Sequence, residues 1–242
     1  MAGTITAANL LLRIRDTLQD TTGVRWLDAE LLRYMNDAQR EIVNLRPEAA
    51  ATTANVALVV GTAQTIPTAG LRLIKVVRNM SAAGGSATGK RAIRIVDREI
   101  LDSQEPDWHD SSVGGDAAHT TTVKHYVFDE DDPRRFYVYP GASTTSTFVE
   151  IVYSTNPTDF ANTSSATMFV DDIYANALID YVLYRSYMKD AEFAGNQQRA
   201  SGHYNLFLSS VSSGGQVQLG VSPNLDAAKA MQPMMAPQPG AV

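Results

Sequence analysis

The clearest structural signal in the chain lies in residues 20–47, DTTGVRWLDAELLRYMNDAQREIVNLRP. A polar loop there leads into a segment whose apolar residues recur at steps of three and four, the spacing of one helix face. Asp28 can cap the first turn, and Pro47 stops the helix near Arg46 because a residue before proline avoids the helical conformation. The pattern predicts a helix from about Asp28 to Leu45. Its apolar stripe comprises Leu31, Met35, Ala38, Ile42 and Leu45.

The same periodicity predicts three more helices. One begins at Thr6, which can act as its N-cap, and runs to about Leu18. A third begins at Asp171 or Asp172 and runs to about residue 189, and a fourth follows it and ends at the glycine pair 214–215. The apolar stripes of these helices are Leu10, Leu11, Ile14 and Leu18; Ile173, Ala177, Tyr181, Tyr184 and Met188; and Phe193, Gln197, Ala200, Tyr204, Phe207 and Val211.

Between the helices the chain is rich in Val, Ile, Tyr and Phe, in short runs bounded by Gly, Pro, Asp, Ser and Thr, which is typical of strands. A short helix is also compatible with residues 97–101. The six predicted strands are Asn55–Val60, Leu71–Asn79, Arg91–Val96, Lys124–Phe128, Arg135–Tyr139 and Thr147–Tyr153.

The predicted fold class is therefore α+β. About four helices from both chain ends form a bundle, an antiparallel β-rich domain is inserted between them, and an extended arm follows at the C-terminus. The predicted parts are an N-terminal helical hairpin over residues 1–50, the β-rich domain over 51–160, the C-terminal helices over 161–215 and the arm over 216–242.

Composition excludes several classes of protein. The chain has 242 residues, 44% of them hydrophobic, and a net charge of −6, so it can form a core but lacks the basic excess of a nonspecific nucleic-acid binder. It has no cysteine, which excludes disulfides and cysteine zinc sites. No run reaches the roughly 18 apolar residues of a membrane span, and residues 1–9 lack the basic start of a signal peptide. We expect synthesis in the host cytoplasm and no membrane partner.

Charge is distributed in two neighbouring blocks. Residues 72–98 carry seven basic residues and one acid, whereas residues 99–132 carry ten acids and one base. The blocks could cancel within one fold, or they could meet across copies of the chain in a head-to-tail contact that closes into a ring. The candidate subunit-contact charges are Lys90, Arg91, Arg94, Arg98, Asp129, Glu130, Asp131 and Asp132.

No motif in the chain specifies catalysis or a cofactor. His109-Asp110 and Asp116 with His119 offer imidazole and carboxylate groups to a metal, but at a spacing that matches no rigid element. The acidic run 129–132 lacks the central Gly and the final Glu of a calcium loop. A pair of carboxylates for glycoside hydrolysis stays open, since such a pair forms in space and not in sequence. We expect no catalytic residue, no cofactor and no metal.

The segment 216–242 differs from the rest, with four prolines, three methionines, two charges and little periodicity. Methionine-rich segments bind partners through adaptable apolar contacts, so the segment is predicted to be a docking arm. Its candidate contact residues are Val217, Leu219, Val221, Leu225, Met231, Met234 and Met235.

Three segments together resemble the head-to-tail adaptor proteins of short-tailed bacteriophages, also called tail tubular proteins. They are Arg15–Thr21 running into Val24–Tyr34, Phe128–Pro140, and Asp171–Tyr174. The sequence departs from the pattern at Leu27, where such proteins often carry Ser or Thr. The resemblance implies a ring of twelve copies in the neck of the virion, with the portal protein above, the tail nozzle protein below, and genomic DNA passing through without specific binding.

The resemblance further implies that the helical domain and the C-terminal arm grip the portal. Other functions compete with this interpretation. A tail-associated peptidoglycan hydrolase would need a pocket with two facing carboxyl groups, one with a raised pKa. Another head-completion protein or a tail-fibre protein is a further alternative, although a fibre should contain repeats. A nucleic-acid-binding regulator would need salt-sensitive DNA binding.

Overall fold

The computed structural model describes residues 3–112, 114, 115, 118–129, 131–190, 192, 193 and 195–220, with side chains up to residue 212. It divides into two compact units. The β unit consists mainly of Gln39–Asp159, together with Met168–Asp171. The helical unit contains Thr4–Ala38, Phe160–Thr167 and the chain from Asp172 onward.

Helices and strands are both well represented in the described part of the chain, which confirms the α+β class. The helices are α1 (Ala7–Leu18), α2 (Asp28–Leu45), α3 (Arg98–Gln104), α4 (Ala175–Lys189) and α5 (Asn196–Gly220). The strands are β1 (Ala51–Ala57), β2 (Gly61–Thr65), β3 (Gly70–Met80), β4 (Gly89–Ala92), β5 (Arg94–Ile95), β6 (His125–Phe128), β7 (Arg135–Ala142) and β8 (Phe148–Thr155). None of the described helices is both long enough and apolar enough to cross a membrane.

Helix α1 forms as its sequence predicts. The Thr6 hydroxyl accepts a hydrogen bond from the Asn9 N–H at 3.3 Å and caps the first turn. Leu10, Leu11 and Ile14 are buried on one face. The helix ends at Gln19, whose left-handed backbone lets its N–H bond back to the last turn.

Helix α2 has the predicted bounds but a different start. In the first turn, the N–H groups of Glu30 and Leu31 donate to the Leu27 carbonyl. The Asp28 carboxylate accepts instead from Arg15 of α1, with Nε at 3.1 Å. Asp28 therefore joins the two helices and does not cap α2 with its side chain.

Helix α4 also begins differently from the prediction. The Asp172 carboxylate accepts from the Thr4 N–H at 2.7 Å and the Ile5 N–H at 3.1 Å, so it holds the segment before α1. Residues 172–174 form a 3-10 turn, and α4 starts after it with Tyr174 at the N-cap position, where its side chain does not cap the helix. As a result Ile173, predicted in the apolar stripe, is 61% exposed.

Helix α5 continues past its predicted end. Its backbone stays helical through the glycine pair 214–215 to Gly220, so the predicted stop is wrong. Glycine lowers helix stability by about 1 kcal/mol relative to alanine but keeps the N–H that the helix needs. Ala200, Phe207 and Val211 are buried as predicted, whereas Phe193 precedes the helix and is exposed.

The β unit contains two four-stranded sheets. The first sheet has the order β1-β8-β3-β4 and is antiparallel throughout. The second sheet has the order β2-β7-β6-β5, and its β5–β6 pair is parallel. A shared core lies between them, with Leu73, Val76 and Ile151 from the first sheet and Phe136 and Val138 from the second. The unit is thus a sandwich.

The structure differs from the predicted strands at β1, which spans Ala51–Ala57 instead of Asn55–Val60, at β2, where no strand is predicted, and at residues 91–96. The predicted strand over residues 91–96 is two short strands, because the chain passes from the first sheet to the second at the buried Ile93. The other face of the second sheet is covered by α3 and by Trp108, whose indole N–H donates to Asp102 at 2.8 Å.

Candidate assembly surfaces

A basic cluster surrounds His125 at the start of β6. Arg94 of β5 lies opposite His125 in the parallel register. Burial lowers the pKa of His125 first, and the charges of Arg91, Arg94 and Lys124 lower it further. Lys90, Arg91 and Arg94 are exposed at this edge, and Lys124 is half-buried.

Arg98 does not belong to this cluster, although the sequence grouped it with Lys90, Arg91 and Arg94. It is the first residue of α3. Its guanidinium lies 3.4 Å from the Asp102 carboxylate and 5.6 Å above the Tyr137 ring. Arg98 thus stabilises the layer that covers the second sheet, and its charge is partly compensated there.

The acidic turn follows β6. The Asp129 carboxylate accepts from the Asp131 N–H at 3.2 Å, and the Asp132 carboxylate accepts from the Arg134 N–H at 3.1 Å. Asp131 and Asp132 are exposed. Glu130, the fourth predicted acid, lies outside the described residues.

The two predicted sets of charges are not brought together within the chain. The basic cluster lies at the start of β6, which has four residues, and the acidic turn lies just beyond its end. At about 3.3 Å per residue the two are separated by roughly 13 Å along the strand. No ion pair among the described residues connects them, so both remain available to other copies of the chain.

A cleft of about 310 Å³ opens beside the exposed end of β5. Ile95 is 63% exposed at its rim, and the Arg72 guanidinium lies 5.8 Å above the Phe128 ring. A second cleft of about 570 Å³ shares Ile95 and Phe128 and continues toward Arg98. The walls of the first are formed by Pro47, Glu48, Arg72, Leu73, Ile74, Ile95, Tyr126 and Phe128. These clefts could not be predicted from the sequence, because the residue pattern does not show that β5 is a two-residue edge strand.

His109 and His119, which lie outside the basic cluster, are packed against neighbouring residues of the β unit. His109 Nδ1 lies 2.7 Å from the Thr62 hydroxyl, and its ring centroid lies 3.7 Å from that of Trp108, with the ring planes tilted by 30°. Burial lowers the pKa of His109, and Arg98 lowers it further. His119 is packed against Gly141. Among the described residues no group of three His, Asp or Glu could hold a metal, and Asp116 lies outside them.

The carboxyl groups with shifted pKa values are all shifted downward. Asp20, Glu30, Asp102, Asp110 and Asp172 each accept hydrogen bonds that favour the ionised form. A hydrolase acid needs the opposite shift, so none of these five suits that role.

The predicted docking arm lies almost entirely outside the described residues. Val217 and Leu219 belong to the backbone of α5. Val221, Leu225, Met231, Met234 and Met235 lie beyond the described part.

Comparison with protein families gives a match over nearly the whole chain. The model of the family described as SU10 adaptor protein matches residues 5–227. The chain belongs to this family. The resemblance to phage head-to-tail adaptors is thereby confirmed, and the family indicates a structural protein of the virion. No curated protein matches the chain.

Among solved structures, the adaptor is similar to a chain of one described as the neck of an empty GTA particle computed with C6 symmetry. The two are 20% identical, the match covers 75% of this adaptor and 81% of that chain, and the TM-score is 0.25.

Proposed function

We propose that this adaptor forms a ring in the virion neck that joins the portal to the tail nozzle and continues the DNA channel. The observation that carries the proposal is the family match over residues 5–227. The ring has twelve copies, by resemblance to the adaptors of short-tailed phages. The net charge of −6 supports a channel through which DNA slides without binding.

The charges of the β unit support a head-to-tail contact. The basic cluster and the acidic turn lie at different ends of β6 and leave each other unpaired, as described above. A surface of one sign can therefore meet a surface of the other sign on the next copy, and such heterologous contacts close into rings. The proposed contact charges are Lys90, Arg91 and Arg94 on the basic side and Asp129, Glu130, Asp131 and Asp132 on the acidic side. Arg98 lies apart from them on α3, next to Asp102.

Native mass spectrometry of the purified adaptor, alone and mixed with the portal of the same phage, tests the proposal. We expect a monomer alone and twelve copies bound to the portal. An adaptor that stays monomeric with the portal present would reject the ring.

The predicted parts of the chain have separate roles in the proposal. The helices of residues 1–50 and 161–215 and the arm 216–242 contact the portal, and the β-rich part 51–160 faces outward or toward the nozzle. Deletion of residues 216–242 should leave a folded protein that no longer binds the portal. Portal binding by the shortened chain, measured in the same spectrometer, would reject the arm as the docking element.

A further inference from the structure

The four edge strands of the sandwich differ in how well they are protected against pairing with another chain. Natural sheets protect their edges by short strands, charges or bulges. β5 has two residues, and β4 has four, among them Lys90 and Arg91. β2 has five residues and an irregular register between Gly61 and Ala63.

Strand β1 has none of these protections. It is seven residues long, ATTANVA, with no charge, no proline and no glycine. Its register with β8 runs from Ala51–Ser154 to Ala57–Phe148 without a shift. Within the described residues it pairs with no other strand. A regular, neutral edge of this length is a template for another strand.

One hydrogen bond shows which backbone groups of β1 point to its free edge. The Leu58 N–H donates to the Thr147 carbonyl at 2.8 Å, which continues the ladder of β1 with β8. Since the bonded pairs of an antiparallel ladder alternate, the N–H and C=O groups of Thr53 and Asn55 point away from β8. Ala54 and Val56 pack against the core, so the strand cannot rotate to hide them.

We infer that the free edge of β1 pairs with β4 of a second copy, so that the first sheets of neighbouring copies form one continuous sheet around the ring. The inference rests on the ring of the proposed function. β1 and β4 are the two edges of one antiparallel sheet and run in opposite directions. Placed side by side in a ring, they meet as an antiparallel pair.

The charges of the two strands and the size of the resulting ring agree with pairing between β1 and β4. Two β4 strands would oppose Lys90 and Arg91 to the same cations, which is unfavourable, whereas neutral β1 accepts β4 without repulsion. Two β1 strands could pair by a two-fold axis, but that contact gives a closed dimer and no ring. Twelve four-stranded sheets, at about 4.8 Å per strand, would form a closed belt with a radius of about 37 Å, wide enough to surround a DNA duplex.

Proline substitution tests the edge directly. Thr53→Pro removes an N–H that points away from β8, so the ladder within the chain is retained. We expect this variant to keep its far-UV circular dichroism and melting temperature and to lose ring formation on the portal. The control is Thr53→Ala, which keeps the N–H and should assemble normally. A folded Thr53→Pro variant that still forms rings would overturn the inference.

Cross-linking identifies the partner strand and decides the matter if the proline variant fails to fold. Because the chain has no cysteine, Thr53→Cys and Ala92→Cys introduce unique thiols on β1 and β4, to be joined by a short thiol–thiol cross-linker on the portal. The double variant should give a ladder of multimers, and each single variant should stay monomeric.

Each other outcome of the cross-linking has a definite meaning. Dimers from Thr53→Cys alone would show two-fold pairing of β1 and overturn the inference. If the double variant forms rings on the portal but gives no cross-linked multimers, the pairing of β1 with β4 is overturned and the proposed function stands. Failure of the unmutated adaptor to form rings would reject both.

Discussion

Asp20 holds together the loop between α1 and α2. Its carboxylate accepts the N–H groups of Trp26 and Arg25 at 2.9 Å and of Val24 at 3.0 Å, and Arg15 lies 3.9 Å away. The backbone donor of Trp26, followed by the other N–H groups and Arg15, lowers the pKa of Asp20 against the opposing effect of burial. The buried position of Trp26, 5% exposed, follows from this anchor.

The lowered pKa of Asp20 determines how its contribution depends on pH. Stabilisation by a carboxylate with a depressed folded pKa is complete above the unfolded pKa of about 4 and is lost as pH falls through the folded pKa. Asp20→Ala should therefore lower the melting temperature at pH 7, and the difference from the unmutated adaptor should shrink as pH falls below about 4. Asp16→Ala, which removes an exposed carboxylate of α1, is the control. An Asp20→Ala effect that does not change with pH would contradict this account.

Gly141 leaves room for the His119 ring. A Cβ at position 141 would lie 2.6 Å from His119 Nε2, inside the contact distance. Gly141→Ala should lower the free energy of unfolding by about 1–3 kcal/mol, the usual effect of overpacking, as measured by urea denaturation. Gly84→Ala, where a Cβ meets nothing within 4 Å, should have little effect. If His119→Ala does not restore the stability of Gly141→Ala, the clash is not the cause.

At the level of elements, two glycines of the α5 region should respond oppositely to the same substitution. Gly202 lies exposed inside the helix, with space around its Cβ position, so Gly202→Ala should stabilise by about 0.5–1 kcal/mol. Gly195 precedes the helix with φ +87°, a conformation that alanine adopts with strain, so Gly195→Ala should destabilise. Melting temperatures of the two variants provide the comparison, and a shift in the same direction for both would be inconsistent with the assigned helix start.

The elements that could be predicted from sequence are those with one buried face. Helices α1 and α2 have a regular apolar stripe, and their bounds agree with the structure to within a residue. β2 escaped prediction because its buried residues, Thr62 and Gln64, are polar. Gln64 is satisfied by the backbone of Val59 and Gly61 at 2.8–3.0 Å, a contact that no periodicity reports.

The candidate surfaces could be predicted only in part. The charged residues of both blocks can be identified in the sequence. Only the structure shows that Arg98 lies on α3, apart from the cluster around His125. The edge of β1 has a signal in the sequence, since residues 49–71 contain no charged residue. Its meaning depends on which strands lie at the sheet edges, and strand order is set by contacts distant in sequence.

For the whole molecule, charge reversal tests whether the two charge blocks meet across copies of the chain. If the blocks meet across copies, reversal of the basic cluster by Arg91→Glu with Arg94→Glu should prevent ring formation on the portal while the melting temperature stays unchanged. Reversal of the acidic turn by Glu130→Lys with Asp131→Lys should do the same, because each change opposes like charges at the contact.

Combining the two reversals provides the decisive measurement. The fourfold variant again places opposite charges at the contact between copies, so it should regain ring formation in native mass spectrometry. Rings of the unmutated adaptor should also weaken between about 0.1 and 1 M salt, because the Debye length falls from about 10 to 3 Å. If the blocks instead interact within one chain, the double variants will lower the melting temperature and still assemble. That result would assign these charges to the stability of the β unit and leave the edge of β1 as the remaining contact between copies.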